Sequence, residues 1–165
     1  SENQTIVNGY IITGYKELAD DMIISTGIYT RAVNSLSNDD VRVSKRLYVP
    51  SSRLRGFESG KVGPKDGDDH VGGNYVVTFN TSSTIPYVLQ TQENMDLKLF
   101  FDAGNVWGVD YSSSLDDSDT IRSSTGVALE ITTPIGPLSF SFAQVLSKAS
   151  TDKTESFKFQ LGTAF

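Results

Sequence analysis

Met95-Asp96-Leu97-Lys98-Leu99-Phe100-Phe101-Asp102-Ala103 alternates in a way that decides the fold class. In an extended chain, successive side chains point to opposite faces. Met95, Leu97, Leu99, Phe101 and Ala103 then share one face, and Asp96, Lys98, Phe100 and Asp102 share the other. That period of two reads as a β-strand, not a helix. The same alternation recurs over Ser123 to Thr133, Pro137 to Ala143, and Phe157 onward. Earlier candidates are Val7 to Leu18, Met22 to Val33 and Asn74 to Ser83, which makes seven strands and no convincing amphipathic helix.

The connections between these segments are unequal. Asp20-Asp21 and Thr133-Pro134-Ile135-Gly136-Pro137 read as tight turns. About 35–73 is a very long connection, and about 110–120 is polar and acidic, with Asp116-Asp117 in it. Alternating strands also build soluble antiparallel sandwiches. Two details favour a transmembrane β-barrel. One face of the strands is almost purely Leu, Phe, Ile and Val, while the other carries small and charged residues suited to a wet interior. The chain also stops on an aromatic, Phe165, at the end of an alternating strand. Strands of about nine to twelve residues suit a tilted crossing of the bilayer. Phe100, Phe101, Trp107, Tyr111 and Tyr87 are candidates for an aromatic girdle at the membrane interfaces.

Composition removes several functions. The 165 residues contain no cysteine, so disulfides, thiolate metal sites and cysteine nucleophiles are excluded. The single histidine, His70, leaves little for a triad or a multi-histidine metal site. A net charge of −6 argues against nucleic acid as a partner. Gly56-Phe57-Glu58-Ser59-Gly60-Lys61-Val62 is one residue short of a phosphate loop and lacks its hydroxyl. Asp66-Gly67-Asp68-Asp69 does not have EF-hand spacing and reads as a solvated turn. The expectation is a protein that is not an enzyme and holds no cofactor or metal. The start at Ser1-Glu2-Asn3, without methionine, reads as a cut from a longer precursor.

The long connection has mixed composition and carries Arg55-Gly56-Phe57, Gly63-Pro64-Lys65 and Gly72-Gly73-Asn74. These stretches resemble the sixth extracellular loop of the Omp85 superfamily. Phe101-Asp102-Ala103-Gly104-Asn105-Val106-Trp107 resembles the next signature of that family. Ile121-Arg122, Gly126-Val127-Ala128-Leu129, Pro134-Ile135-Gly136-Pro137-Leu138 and Ser141-Phe142-Ala143-Gln144 continue it in order. The resemblance is specific from about residue 47 onward, and before that it rests on strand pattern.

The resemblance implies an all-β, antiparallel, sixteen-stranded transmembrane barrel, of which residues 1–165 are roughly the last seven strands. It further implies a location in the cell outer membrane, missing periplasmic POTRA domains, and a role in folding and inserting other barrel proteins. The alternatives are another Omp85-type translocation pore, or a passive porin or adhesin barrel. Implied partners are unfolded outer-membrane barrel clients, membrane lipid, and assembly-complex lipoproteins bound through the missing N-terminal domains.

In the family the sixth loop, here about 35–73, folds back into the lumen, and its motif arginine meets acids on the wall. Arg55 would be that arginine, Gly56 would allow a close backbone turn, and Phe57 would wedge the loop tip. Asp102, on the face opposite Leu97 and Leu99, is the expected partner. A second family acid would fall near Asn80 or Ser82, both neutral here, and Glu130 also faces inward. The final strand, about 156–165, resembles the family's β-signal and gate strand. Its implied residues are Phe157, Phe159, Leu161, Gly162 and Phe165, with Gly162 weakening the strand interior.

Overall fold

A computed structural model describes residues 4–86, 88, 93–115 and 119–162. Phe165, Tyr87, Asp116, Asp117 and the first three residues therefore lie outside the described residues. Seven strands form one antiparallel sheet: β1 (Thr5–Ala19), β2 (Met22–Ser35), β5 (Tyr75–Thr84), β6 (Met95–Trp107), β7 (Arg122–Thr133), β8 (Gly136–Ser147) and β9 (Phe157–Leu161). Each strand pairs with the next of these in chain order, so β1 and β9 are the two sheet edges. A separate small hairpin, β3 (Lys65–Asp66) with β4 (Asp69–His70), lies within the long connection. The Asp66 to Asp69 stretch is its turn, with Gly67 at positive φ.

The 13 residues of β6 reach about 40 Å at full extension, enough to cross a ~30 Å hydrocarbon core when tilted. The distribution of polarity is the reverse of a soluble sheet. Buried residues include Thr78, Asn80, Ser82, Asp102, Arg122, Ser124, Ser139, Ser141 and Lys158. The exposed large side chains include Ile28, Val77, Phe79, Leu99, Val127, Phe142, Phe157, Phe159 and Leu161. Water penalises such an apolar face, and lipid does not. A sheet polar within and apolar without is built for a bilayer.

The ends of the sheet differ. Ala19 pairs with Met22 around Asp20-Asp21, and Thr133 with Gly136 around Pro134-Ile135. These tight turns share one end. The long loop between β2 and β5 lies at the other, with the connections after β6 and β8. Its neck is closed by Leu47 and Gly73, whose backbones exchange hydrogen bonds of 2.8 and 2.9 Å. Between those points the loop folds onto the inner face. Val49, Leu54, Phe57 and Val62 of the loop pack with Tyr29, Val76 and Val106 of the wall to form the hydrophobic cluster of the molecule.

The girdle expectation needs correction at Phe100. It faces inward and is only 3% exposed, because it shares the strand phase of Asp102. Trp107 points the other way and stacks on Tyr75, with ring centroids 5.7 Å apart. Tyr111 lies past the strand end, donating to Asp66.

The outer face generates a direct test. Val127 sits mid-strand on it, opposite Leu99 and Phe142. Val127→Arg in the full-length protein is expected to lower folding stability in lipid vesicles by about 2–4 kcal/mol. Denaturant titration checks this, and a change near zero would mean that the face does not meet lipid.

Candidate functional site

The inner wall meets the long loop at Arg55. Asn80 and Asp102 are direct partners across β5 and β6, which places both side chains inward at one level. Arg55 donates to Asp102 through Nε (2.7 Å to Oδ2) and Nη2 (2.8 Å to Oδ1). Its backbone N–H adds a bond of 3.0 Å to Oδ2, and Asn80 Nδ2 donates to Oδ1 at 2.9 Å. The carboxylate thus receives two parallel guanidinium bonds and two amide bonds. It needs them, because its side chain has no exposure to water. A buried charge without partners costs several kcal/mol, whereas a planar fork on a carboxylate compensates well.

The second face of the guanidinium lies over the ring of Phe100, 3.7 Å from its centroid. Phe100 pairs across to Gly126, and a Cβ on Gly126 would collide with the Phe142 carbonyl of β8 and come within 2.9 Å of that ring. The glycine therefore makes room for the aromatic floor under Arg55. Ser124 Oγ donates to the Arg55 carbonyl. Gly56 turns the chain at φ +93°, and a Cβ there would press on Ala143 at 3.1 Å. Phe57 follows, 1% exposed, in the cluster with Leu54 and Val62.

Sequence reasoning left the second acid open. Glu130 does not reach Arg55; its carboxylate takes Lys98 Nζ at 2.8 Å. Asn80 occupies the expected place and contributes a neutral donor, which also holds the Arg53 carbonyl at 2.6 Å. Other features were not foreseen. Arg122 forms a second buried ion pair with Asp152, Nε to Oδ2 at 2.9 Å. Arg122 stood in a quoted motif without a role, while Asp152 lies in a polar connection with no pattern to mark it. At the loop neck Arg46 pairs with Asp110 and lies 4.7 Å from the ring centroid of Tyr111.

Among the described residues the terminal strand is short. β9 spans 5 residues beside the 12 of β8. Phe157, Phe159 and Leu161 point outward, and Phe159 and Phe157 stack on Phe140 and Phe142 at 5.2 and 5.0 Å. Gly162 requires a correction. Among the described residues β9 ends at Leu161, and Gly162 follows it at φ +113°, outside strand geometry. Its N–H donates to the Pro137 carbonyl at 2.8 Å. Phe165 lies outside the described residues.

A seven-stranded sheet with an apolar outside, a polar inside and a loop latched within is a segment of an outer-membrane type β-barrel. The model of the Omp85 superfamily domain matches residues 5–165. The chain belongs to the Omp85 superfamily. It is 30% identical over 132 residues to the outer membrane protein assembly factor BamA of Neorickettsia risticii, covering 78% of this chain and 18% of that protein. The BamA of Neisseria meningitidis is 31% identical over 139 residues, 68% of this chain and 17% of that protein. The sorting assembly machinery 50 kDa subunit of Saccharomyces cerevisiae is 30% identical over 159 residues, 88% of this chain and 33% of that protein. The crystal structure of BamA from Haemophilus ducreyi lacking POTRA domains 1-3 superposes with a TM-score of 0.85 at 29% identity. The match covers 95% of this chain and 34% of that one. The chain thus spans less than a fifth of the two bacterial relatives named. Its place is the outer membrane, as for those relatives.

The loop neck carries a pH dependence. Burial raises the Asp110 pKa, but the N–H of Val41, the Asn74 amide and the Arg46 charge outweigh it and hold the carboxyl below its usual value. A carboxyl lowered by folding contributes stability above its unfolded pKa and loses it as pH falls through the folded value. Protease access to residues 36–46 should therefore be low at neutral pH and rise in acid, below about pH 4. Asp110→Asn should show that access at every pH. Limited proteolysis across pH checks both.

Proposed function

We propose that this chain is the terminal barrel segment of an outer-membrane assembly factor that folds and inserts other β-barrel proteins. The proposed action involves no chemical step, so none of these residues acts as a catalyst of bond cleavage. The clients would be unfolded outer-membrane barrel proteins. Lipid at the barrel wall and lipoproteins docked on domains outside this chain would be the other partners. Support comes from the relatives, two of which are titled assembly factors and one a sorting assembly machinery subunit.

The observation that carries the reading is a loop fixed inside the wall beside a terminal strand with few described pairs to its neighbour in the sheet. Arg55 is fixed to Asp102 by a bidentate pair, while among the described residues β9 pairs with β8 at five positions. An edge strand with unsatisfied backbone groups is a template for another strand. In this reading β9 is the gate, where an incoming strand can add, and the docked loop keeps the rest of the wall in register. Each added strand satisfies backbone groups that lipid cannot, so pairing itself supplies the driving force.

Arg55→Ala in the full-length protein is expected to slow client insertion into proteoliposomes by about tenfold, the factor that corresponds to ~1.4 kcal/mol. Unchanged insertion would overturn the role of the docked loop in assembly.

A further inference from the structure

Besides Arg55, the loop is tied to the terminal strand itself. Lys158, on the inward face of β9, donates Nζ to the carbonyls of Phe57 (2.9 Å) and Ser51 (3.1 Å), both in the loop. The residue is 8% exposed. Just before β9, the connection from β8 runs along the loop as a short antiparallel ladder. Phe57 and Thr154 face each other. Glu155 N donates to Gly56 O, Glu58 N to Lys153 O, and Lys153 N to Lys61 O, each at 2.9 Å.

Asp152 fixes the far end of that ladder. Its carboxylate accepts Arg122 Nε at 2.9 Å and Nη2 at 3.2 Å. It also accepts the N–H of Gly63 in the loop (2.9 Å) and of Ala149 in the connection (2.8 Å). Thr151 adds a bond from Oγ1 to Gly63 O at 2.9 Å, and its carbonyl meets His70 Nε2 at 2.7 Å. One carboxylate thus joins a wall strand, the loop and the connection.

We infer that the long loop and the terminal strand are coupled into one unit, with Lys158 the positioning residue on the strand and Asp152 the positioning residue on the connection. The functional consequence rests on the reading of β9 as the gate. β9 cannot swing from β8 while the loop stays docked unless the Lys158 ammonium leaves two carbonyls and the ladder parts. Undocking the loop removes the same partners from β9. Such coupling is reciprocal: whatever stabilises the docked loop holds the strand, and whatever draws the strand away loosens the loop.

Hydrogen exchange on the full-length protein in lipid nanodiscs tests this without any client. Lys158→Gln loses the charge and shortens the reach to the two carbonyls, and Lys158→Arg keeps the charge, the reach and the donors. In Lys158→Gln the amides of Glu58, Lys153 and Glu155 should exchange about tenfold faster. The β9 amides should loosen with them, amides of the β6–β7 ladder away from this contact should be unchanged, and Lys158→Arg should restore protection. Asp152→Asn should reproduce the pattern from the other end. The inference is overturned if the ladder amides keep their protection in Lys158→Gln and Asp152→Asn. It is equally overturned if the β6–β7 ladder loosens to the same degree, or if Lys158→Arg does not rescue. Failure of the assembly role would show instead as an Arg55→Ala protein with normal insertion, whatever the exchange data.

Discussion

A carboxylate with no access to water cannot stand in a barrel wall unless something neutralises it, and Asp102 is such a carboxylate. The rest of the site is arranged around that constraint. Arg55 neutralises it, which requires the long loop to turn back into the interior. Turning back requires Gly56 at positive φ. Once inside, Leu54, Phe57 and Val62 bury against Tyr29, Val76 and Val106. The ion pair selects the position, and the apolar cluster supplies the favourable burial energy that a desolvated ion pair does not.

The same division of labour runs through the whole sheet. Lipid tolerates the outward Leu, Val and Phe side chains but accepts no unpaired backbone groups. The inner face carries the polar groups, and the loop and connections bond several of them. Arg122 with Asp152 and Lys158 with two loop carbonyls repeat the Arg55 arrangement at other heights. At these three sites a charged group on the wall finds its partner in a connecting segment, whereas Lys98 and Glu130 pair within the wall. The interior is therefore held by directional polar bonds, and one apolar cluster supports it.

Much of this was legible in the sequence because strand alternation has a period of two. Asp102 could be placed opposite Leu97 and Leu99 from that period alone, and the structure puts it there. The seven strand segments and both tight turns follow from the same pattern. Phe100 was less transparent: alternation put it inward, yet its aromatic character suggested a girdle, and the phase prevailed. Gly162 is ambiguous in sequence, because a glycine ending a strand and one inside it look alike. Asp152 could not be found, since a carboxylate in a polar connection resembles any solvated acid until the fold brings Arg122 and Gly63 to it. Glu130 was visible as inward, but which cation it meets depends on height along the wall, which alternation does not encode.

The central claim is that Arg55 and Asp102 act as one buried unit that holds the loop in the interior. A double-mutant cycle on the full-length protein, by urea titration in lipid vesicles, measures this directly. Arg55→Ala and Asp102→Ala should each cost about 3–5 kcal/mol. The double variant should cost clearly less than the two losses added, a coupling of about 2–3 kcal/mol. Additive losses, with coupling near zero, would contradict the account.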